Sequence, residues 1–147
     1  MLNLKQAREH ILSRDRIQRF FNVVDMTRIS VDKKHDDDDS RKSKLEYRAQ
    51  LALKVQKMNI LCLSDSDEVD TSLLSGSDLF DYEFRKQLLD QAAFNHVGAA
   101  FSEIVILDDV VVVRDGDQCW TIDDRTVVDG LADQFNAQWQ QSPAIEL

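Results

Sequence analysis

The sequence predicts a single α/β domain in which helices cover a mixed β-sheet. Three patterns indicate this fold class: three short apolar runs within 103–122, an amphipathic segment over 125–140, and a compact apolar run at 59–63. Short β-branched runs between turn residues are typical of strands, whereas an apolar stripe at helical spacing needs a sheet to lie on. We therefore expect a C-terminal β-meander followed by a closing helix.

The meander is the clearest of these patterns. Its strands are predicted at 103–107, 110–114 and 118–122. Asp108-Asp109 separates the first two strands, and Asp115-Gly-Asp117 turns the chain into the third. Polar and glycine residues between apolar runs are turn signals.

The closing helix has both a start signal and a buried face. Asp123 or Asp124 is a candidate N-cap, because a short carboxylate accepts the free backbone N–H groups of a first helical turn. Five apolar residues then recur at helical spacing: Val128, Leu131, Ala132, Phe135 and Trp139. We expect this stripe to pack on the sheet.

The run at 59–63 is apolar without alternation, as in a central strand covered on both faces. The two cysteines, Cys62 and Cys119, fall inside predicted strands, where a thiol usually behaves as a small buried hydrophobe. We therefore expect no disulfide.

The remaining elements are predicted from periodicity and cap residues. In chain order they are a helix over 3–12 capped by Asn3, a basic amphipathic segment whose apolar stripe is Ile17, Phe20, Phe21 and Val24, a strand over 27–31, an exposed acidic loop at about 32–40, a helix over 40–58 capped by Ser40, and a helix over 79–96 whose stripe is Phe80, Phe84, Leu88 and Ala92.

Length and composition are those of one domain. The chain has 147 residues, of which 43% are hydrophobic, enough for a substantial core. No window approaches the ~20 apolar residues of a membrane span. The first residues lack the long apolar segment of a secretory signal, so a cytoplasmic protein is expected.

The net charge of −9 is unevenly distributed. Residues 1–60 carry 14 Lys and Arg against 9 Asp and Glu, a balance of +5, whereas residues 61–147 carry 4 against 18, a balance of −14. Either the two parts attract each other within one fold, or each faces a partner. In the second case Arg14, Arg16 and Arg19 form a candidate anion-binding face for nucleic acid or anionic lipid.

The acidic segment after the 59–63 strand is the best-placed catalytic candidate, because loops at the carboxyl ends of buried strands often carry chemistry in α/β proteins. Asp65 and Asp67 resemble the Asp-x-Asp of magnesium-dependent phosphoryl-transfer enzymes, although Ser64 directly follows the apolar run. Histidines and cysteines lack zinc-ligand spacing, and no glycine-rich phosphate loop follows a strand. No cofactor is predicted.

The C-terminal pattern also carries a family resemblance. The paired strands at 104–113, followed by Val128, Leu131, Phe135 and Trp139, resemble the closing hairpin and terminal helix of phospholipase D-like domains over residues 100–142. The catalytic His-x-Lys-x-x-x-x-Asp motif of that family is absent. The resemblance therefore implies a degenerate, non-hydrolytic member, and none of the family's catalytic residues is carried over.

We expect a non-catalytic binding or regulatory domain that engages a protein partner through an acidic surface. The residues expected to form this surface are Asp108, Asp109, Asp115, Asp117, Asp123 and Asp124. One alternative is a small acidic inhibitor, immunity protein or chaperone that masks a basic partner. The other is a magnesium-dependent phosphoryl-transfer enzyme using Asp65 and Asp67.

Overall fold

The computed structural model describes residues 1–29, 37–65, 81–88 and 90–145. Seven strands, three α-helices and one 3₁₀ helix have both ends within these residues. In chain order they are β1 Leu2–Asn3, α1 Leu4–Leu12, β2 Phe21–Asp25, α2 Asp38–Ala52, β3 Lys57–Ser64, β4 Asp81–Leu88, the 3₁₀ helix Gln91–Val97, β5 Glu103–Ile106, β6 Val111–Asp115, β7 Gln118–Ile122 and α3 Arg125–Gln141.

All seven strands form one open mixed sheet in the order β1-β7-β6-β5-β2-β3-β4. The strands β2, β3 and β4 are parallel, and the other neighbours are antiparallel. The parallel pair β2 and β3 is joined through α2, since parallel strands need a crossover connection. The predicted α/β class, with its mixed sheet, C-terminal meander and closing helix, is confirmed.

Both faces of the sheet are covered, because successive strand residues point to opposite faces. On one face α3 and the 3₁₀ helix bury Val23, Leu61 and Ile104. On the other face α1 and the end of α2 pack over Val105 and Val112. The strand β3 therefore has buried residues on both sides, which explains its unalternating apolar sequence.

The structure confirms the predicted caps of two helices and the predicted burial of the two cysteines. The side chain of Asn3 accepts the backbone N–H of Gln6, so it is the N-cap of α1. Asp124 accepts the N–H groups of Thr126 and Val127 and caps α3. Both cysteines are buried and free.

The predicted helix over 79–96 is wrong over residues 81–88, which form β4. The helical spacing of the basic amphipathic segment was also misleading, because residues 21–25 form β2. The stripe Phe80, Phe84, Leu88 and Ala92 has a spacing of four, which fits one face of a strand as well as one face of a helix. In β2, apolar residues occur on both faces because both faces are covered. The sequence of β2 therefore does not alternate between apolar and polar residues.

The segment around the acidic run also differs from the prediction. Residues 26–29 form a helical turn instead of a strand, and the Asp25 carboxylate caps it by accepting the Thr27 N–H at 3.0 Å. The helix α2 begins at Asp38, and its N-cap is Asp37, which accepts the Ser40 N–H; Ser40 is not the cap. Adjacent carboxylates are favourable in a first helical turn because of the helix dipole. The rest of the expected loop, at 32–36, lies outside the described residues.

Candidate functional site

A cavity of about 780 Å³ lies between the sheet and the helices α1 and α2. The helix α2 is rich in charged residues, and its only buried residue, Leu51, lies in the last turn. Together with α1 this turn packs over β5, β6 and β7. The part of the same face formed by β2, β3 and β4 carries a separate apolar cluster, which lines the cavity.

Five residues form a polar cluster on the cavity wall: Arg8, Asn22, Tyr47, Glu103 and Arg114. They come from α1, β2, α2, β5 and β6 respectively. Glu103 and Arg114 stand directly opposite each other in the β5–β6 ladder, with Arg114 Nε 3.4 Å from Glu103 Oε2. Cross-strand pairs of opposite charge stabilise an antiparallel sheet.

Asn22 links this pair to β2, which is next to β5 in the sheet. Its side chain is 6% exposed and donates from Nδ2 to Glu103 Oε1 at 3.1 Å and to the Ile104 carbonyl at 2.9 Å. A buried amide must be hydrogen-bonded to avoid a large desolvation cost. Asn22 therefore fixes the Glu103 carboxylate at the cavity wall.

Arg8 of α1 and Tyr47 of α2 are the helical members of the cluster. The guanidinium of Arg8 lies 5.2 Å from the centre of the Tyr47 ring, a cation–π distance. Burial lowers the pKa of Arg8, and the positive charges of Arg114 and Arg48 lower it further, whereas Tyr47 and Glu103 raise it. Arginine stays ionised in proteins, so two guanidinium groups repel each other across the cavity wall.

The opposite end of the cavity is apolar. Val24, Met26, Ile60 and Phe84 belong to one buried cluster and also line the cavity, as does the partly buried Met58. The cavity is therefore amphipathic, with a charged side under α1 and an apolar side over β2, β3 and β4.

The carboxyl ends of the parallel strands form a different polar site. Asp25 ends β2, is 2% exposed, and accepts from the Thr27 hydroxyl and the Gln91 amide, both at 2.6 Å. Asp65 is exposed just after β3, and Asp67 lies outside the described residues. Among the residues that the structure describes, no group of three or more His, Cys, Asp or Glu side chains is arranged to hold a metal. The magnesium site remains a prediction.

The expected acidic surface divides into paired and unpaired carboxylates. Asp108 accepts the backbone N–H groups of Gln18 and Arg19 at 3.0 and 2.9 Å. Asp109 pairs with Arg14 at 2.9 Å, and this hydrogen bond lowers the pKa of the Asp109 carboxyl.

Two further carboxylates of that surface also have structural partners. Asp115 pairs with Arg28 at 2.8 Å, and Asp124 caps α3. Asp117 and Asp123 are exposed, and Asp117 also lines the cavity.

The three arginines of the candidate anion-binding face have different surroundings, and the face itself stays a prediction. Arg14 is bound to Asp109, and Arg19 donates from Nε and Nη2 to the Leu107 carbonyl at 3.0 and 2.7 Å. Arg16 is exposed and lines a shallow depression with Arg19 and Arg125. Two of the three guanidinium groups thus hold the N-terminal part of the chain on the β5–β6 turn.

Sequence reasoning did not identify the polar cluster. One signal was present: Glu103 and Arg114 stand at equal distances from the Asp108-Asp109 turn, so a tight hairpin pairs them. Arg8 on the apolar face of α1 and Asn22 within an apolar run were further signals. A charged or amide side chain at a core-facing position indicates a site or a buried network.

No protein-family model, curated protein or solved structure matches this chain. The phospholipase D-like resemblance therefore stays a prediction. None of the described helices is long and apolar enough to cross a membrane.

Proposed function

We propose that this chain is a non-catalytic binding domain that takes a small ligand into the cavity beneath α1 and α2. The observation that carries the proposal is an amphipathic cavity of about 780 Å³, which is apolar over β2, β3 and β4 and has the polar cluster on its other side. Ligand sites in proteins are typically clefts of ~300–1,000 Å³, mostly apolar, with a few polar groups that orient the ligand.

The position of the cavity also supports a regulatory role. A ligand there contacts α1, α2 and the sheet at the same time, whereas α2 alone buries a single residue, Leu51. Binding to the folded state stabilises the contacts that the ligand bridges. The ligand would therefore fix α2, and with it the exposed side chains of Leu45 and Leu53, relative to the sheet.

A neutral dye tests whether the cavity takes up ligands at all. Nile red fluorescence should increase on binding and follow a saturable curve. Replacing Met58, which lines the cavity, by tryptophan should weaken this binding because the larger side chain takes up part of the apolar space. The control is Lys57→Trp, since Lys57 is exposed and adjacent strand residues point to opposite faces. Equal dye binding by both variants would contradict the proposal.

A second candidate is the predicted protein partner at the acidic surface. Its support is that Asp117 and Asp123 are exposed beside the β7 hairpin and form no ion pair within the described residues. Such a surface would serve either a regulatory domain or an inhibitor or chaperone of a basic protein. A basic protein recovered stoichiometrically at low salt and released at high salt, but not recovered by Asp117→Lys/Asp123→Lys, would support this candidate. Binding that ignores salt would contradict it.

A further inference from the structure

The charged residues on the cavity wall differ in sign according to their exposure. Five of them are only partly exposed to solvent: Arg8, Lys44, Arg48, Glu103 and Arg114. Four of these are basic and one is acidic. The other carboxylates of the wall, such as Asp117, are exposed, where solvent and salt screen them. The partly exposed charges on this wall are therefore mostly basic, although the chain as a whole is acidic.

Arg8 has hydrogen-bonding capacity directed at this space. Its guanidinium is partly buried and rests on the Tyr47 ring, and it donates no hydrogen bond to another described residue. A guanidinium has five N–H donors in a planar fork that matches the two oxygens of an oxyanion. A guanidinium that is partly removed from water, and that has no acceptor among the described parts of the chain, is the expected anchor for an anionic ligand.

Glu103 interacts with two of the guanidinium groups on this wall. It lies opposite Arg114 and is also held by Asn22, so one carboxylate faces both Arg114 and the nearby Arg8. An added oxyanion would relieve the repulsion between the two guanidinium groups. A cation would increase that repulsion.

The apolar side of the cavity determines the rest of the ligand. Met58, Ile60 and Phe84 present a hydrocarbon surface on that side of the cavity. An apolar chain buried there gains roughly 0.8 kcal/mol for each CH₂ group, which corresponds to about fourfold in affinity. A small inorganic anion leaves this surface uncovered.

We infer that the cavity binds an amphipathic anion, whose oxyanion head group lies at Arg8 and Arg114 and whose apolar chain lies on Met58, Ile60 and Phe84. This inference rests on the proposed ligand-binding function and adds the chemical class of the ligand. Carboxylate and phosphate monoester head groups share the required chemistry.

Isothermal titration with four ligands of equal chain length tests the inference on the full chain. Decanoate, decyl phosphate, decanol and decyltrimethylammonium are each used below their micelle concentrations. At least one of the two anions should bind about tenfold or more tightly than decanol, because charge-assisted hydrogen bonds are the strong ones. The tighter of the two anions identifies the head group. Affinity for the anion should also rise about fourfold per CH₂ from hexyl to decyl chains.

The variant Arg8→Met should bring the affinity for the anion close to that of the same variant for decanol. Arg16→Met is the matched control, because Arg16 is an exposed arginine outside the cavity, and it should behave like the unmodified protein. Arg8→Lys should retain part of the preference, since lysine keeps the charge but loses the planar fork.

The possible results separate the inference from the function on which it rests. Equal affinities for the anions and decanol, or tighter binding of the cation, would overturn the anionic head group, while saturable Nile red binding would leave the ligand-binding function standing. An anion preference that survives Arg8→Met would overturn the assignment of Arg8. If the unmodified protein binds neither decanol nor Nile red, the proposed binding function itself is overturned.

Discussion

Replacing Glu103 by glutamine should have opposite effects on folding and on anion binding. The amide keeps an oxygen that can accept from Asn22 Nδ2, so the substitution removes mainly the negative charge. Arg8 and Arg114 would then lose the carboxylate that attracts both guanidinium groups. The free energy of unfolding should fall, while affinity for an anionic ligand should rise because the ligand no longer competes with Glu103.

The magnitude follows from the burial of the pair. Breaking a fully buried ion pair costs about 3–5 kcal/mol, and an exposed pair contributes about 0–1 kcal/mol. The side chains of Arg114 and Glu103 are 16% and 28% exposed, which is between these limits. We therefore expect Glu103→Gln to lower the free energy of unfolding by about 1–3 kcal/mol.

Urea denaturation followed by circular dichroism measures the stability change, and titration with decanoate measures the change in affinity. The matched control is Glu83→Gln, because Glu83 pairs with Arg85 at 2.8 Å on the other face of the sheet, with side-chain exposures of 36% and 26%. The control should lose no more than about 1 kcal/mol and bind decanoate unchanged. If Glu103→Gln is as stable as the unmodified protein, or binds decanoate more weakly, the electrostatic account of the polar cluster is refuted.

Three further predictions concern packing, capping and thiol reactivity. Phe135→Ala should lower the free energy of unfolding by about 3–5 kcal/mol in urea denaturation, because Phe135 is fully buried on the α3 face. Asn136→Ala, at an exposed position of the same helix, should cost less than about 1 kcal/mol. Asp124→Ala should lower the free energy of unfolding by about 1 kcal/mol, and with it the thermal midpoint, because the N-cap of α3 is lost. Asp123→Ala should leave the thermal midpoint unchanged. A larger effect of Asp123→Ala than of Asp124→Ala would contradict the cap assignment. Burial raises the pKa of the Cys62 thiol to about 12. Iodoacetamide at pH 8 should therefore leave Cys62 unmodified in the native protein and alkylate it in urea. Rapid alkylation of Cys62 in the native protein, located by mass spectrometry, would contradict its burial.

The C-terminal part of the fold was predictable because its signals are local. The apolar runs of β5, β6 and β7 are separated by turn residues, and Asp124 stands directly before the apolar stripe of α3. Each signal depends on residues only a few positions apart, so it does not require knowledge of the tertiary structure.

The assignments of β2 and β4 failed because tertiary packing decides them. A spacing of four residues is shared by one face of a strand and one face of a helix, and it is resolved only when β4 pairs with β3. The β2 strand is flanked by β5 and β3 and covered on both faces, so its apolar residues show no alternation.

The cavity could not be predicted for a similar reason. Arg8, Asn22 and Glu103 belong to different elements, and only the sheet order brings them together. The hairpin register was enough to pair Glu103 with Arg114, but nothing in a single sequence places α1 and α2 above that pair. The division of the acidic surface likewise depends on long-range pairs such as Arg14 with Asp109.

The central claim is that an amphipathic anion occupies the cavity with its head group at Arg8. Its most direct test is an NMR titration of the ¹⁵N-labelled protein with decanoate, combined with measurement of contacts between the decanoate methyl group and protein side chains. We predict that the Arg8 guanidinium and Asn22 side-chain amide signals shift, and that the methyl group contacts Ile60 and Phe84. Shifts confined to the outer surface of α3, or no saturable shifts, would contradict the claim.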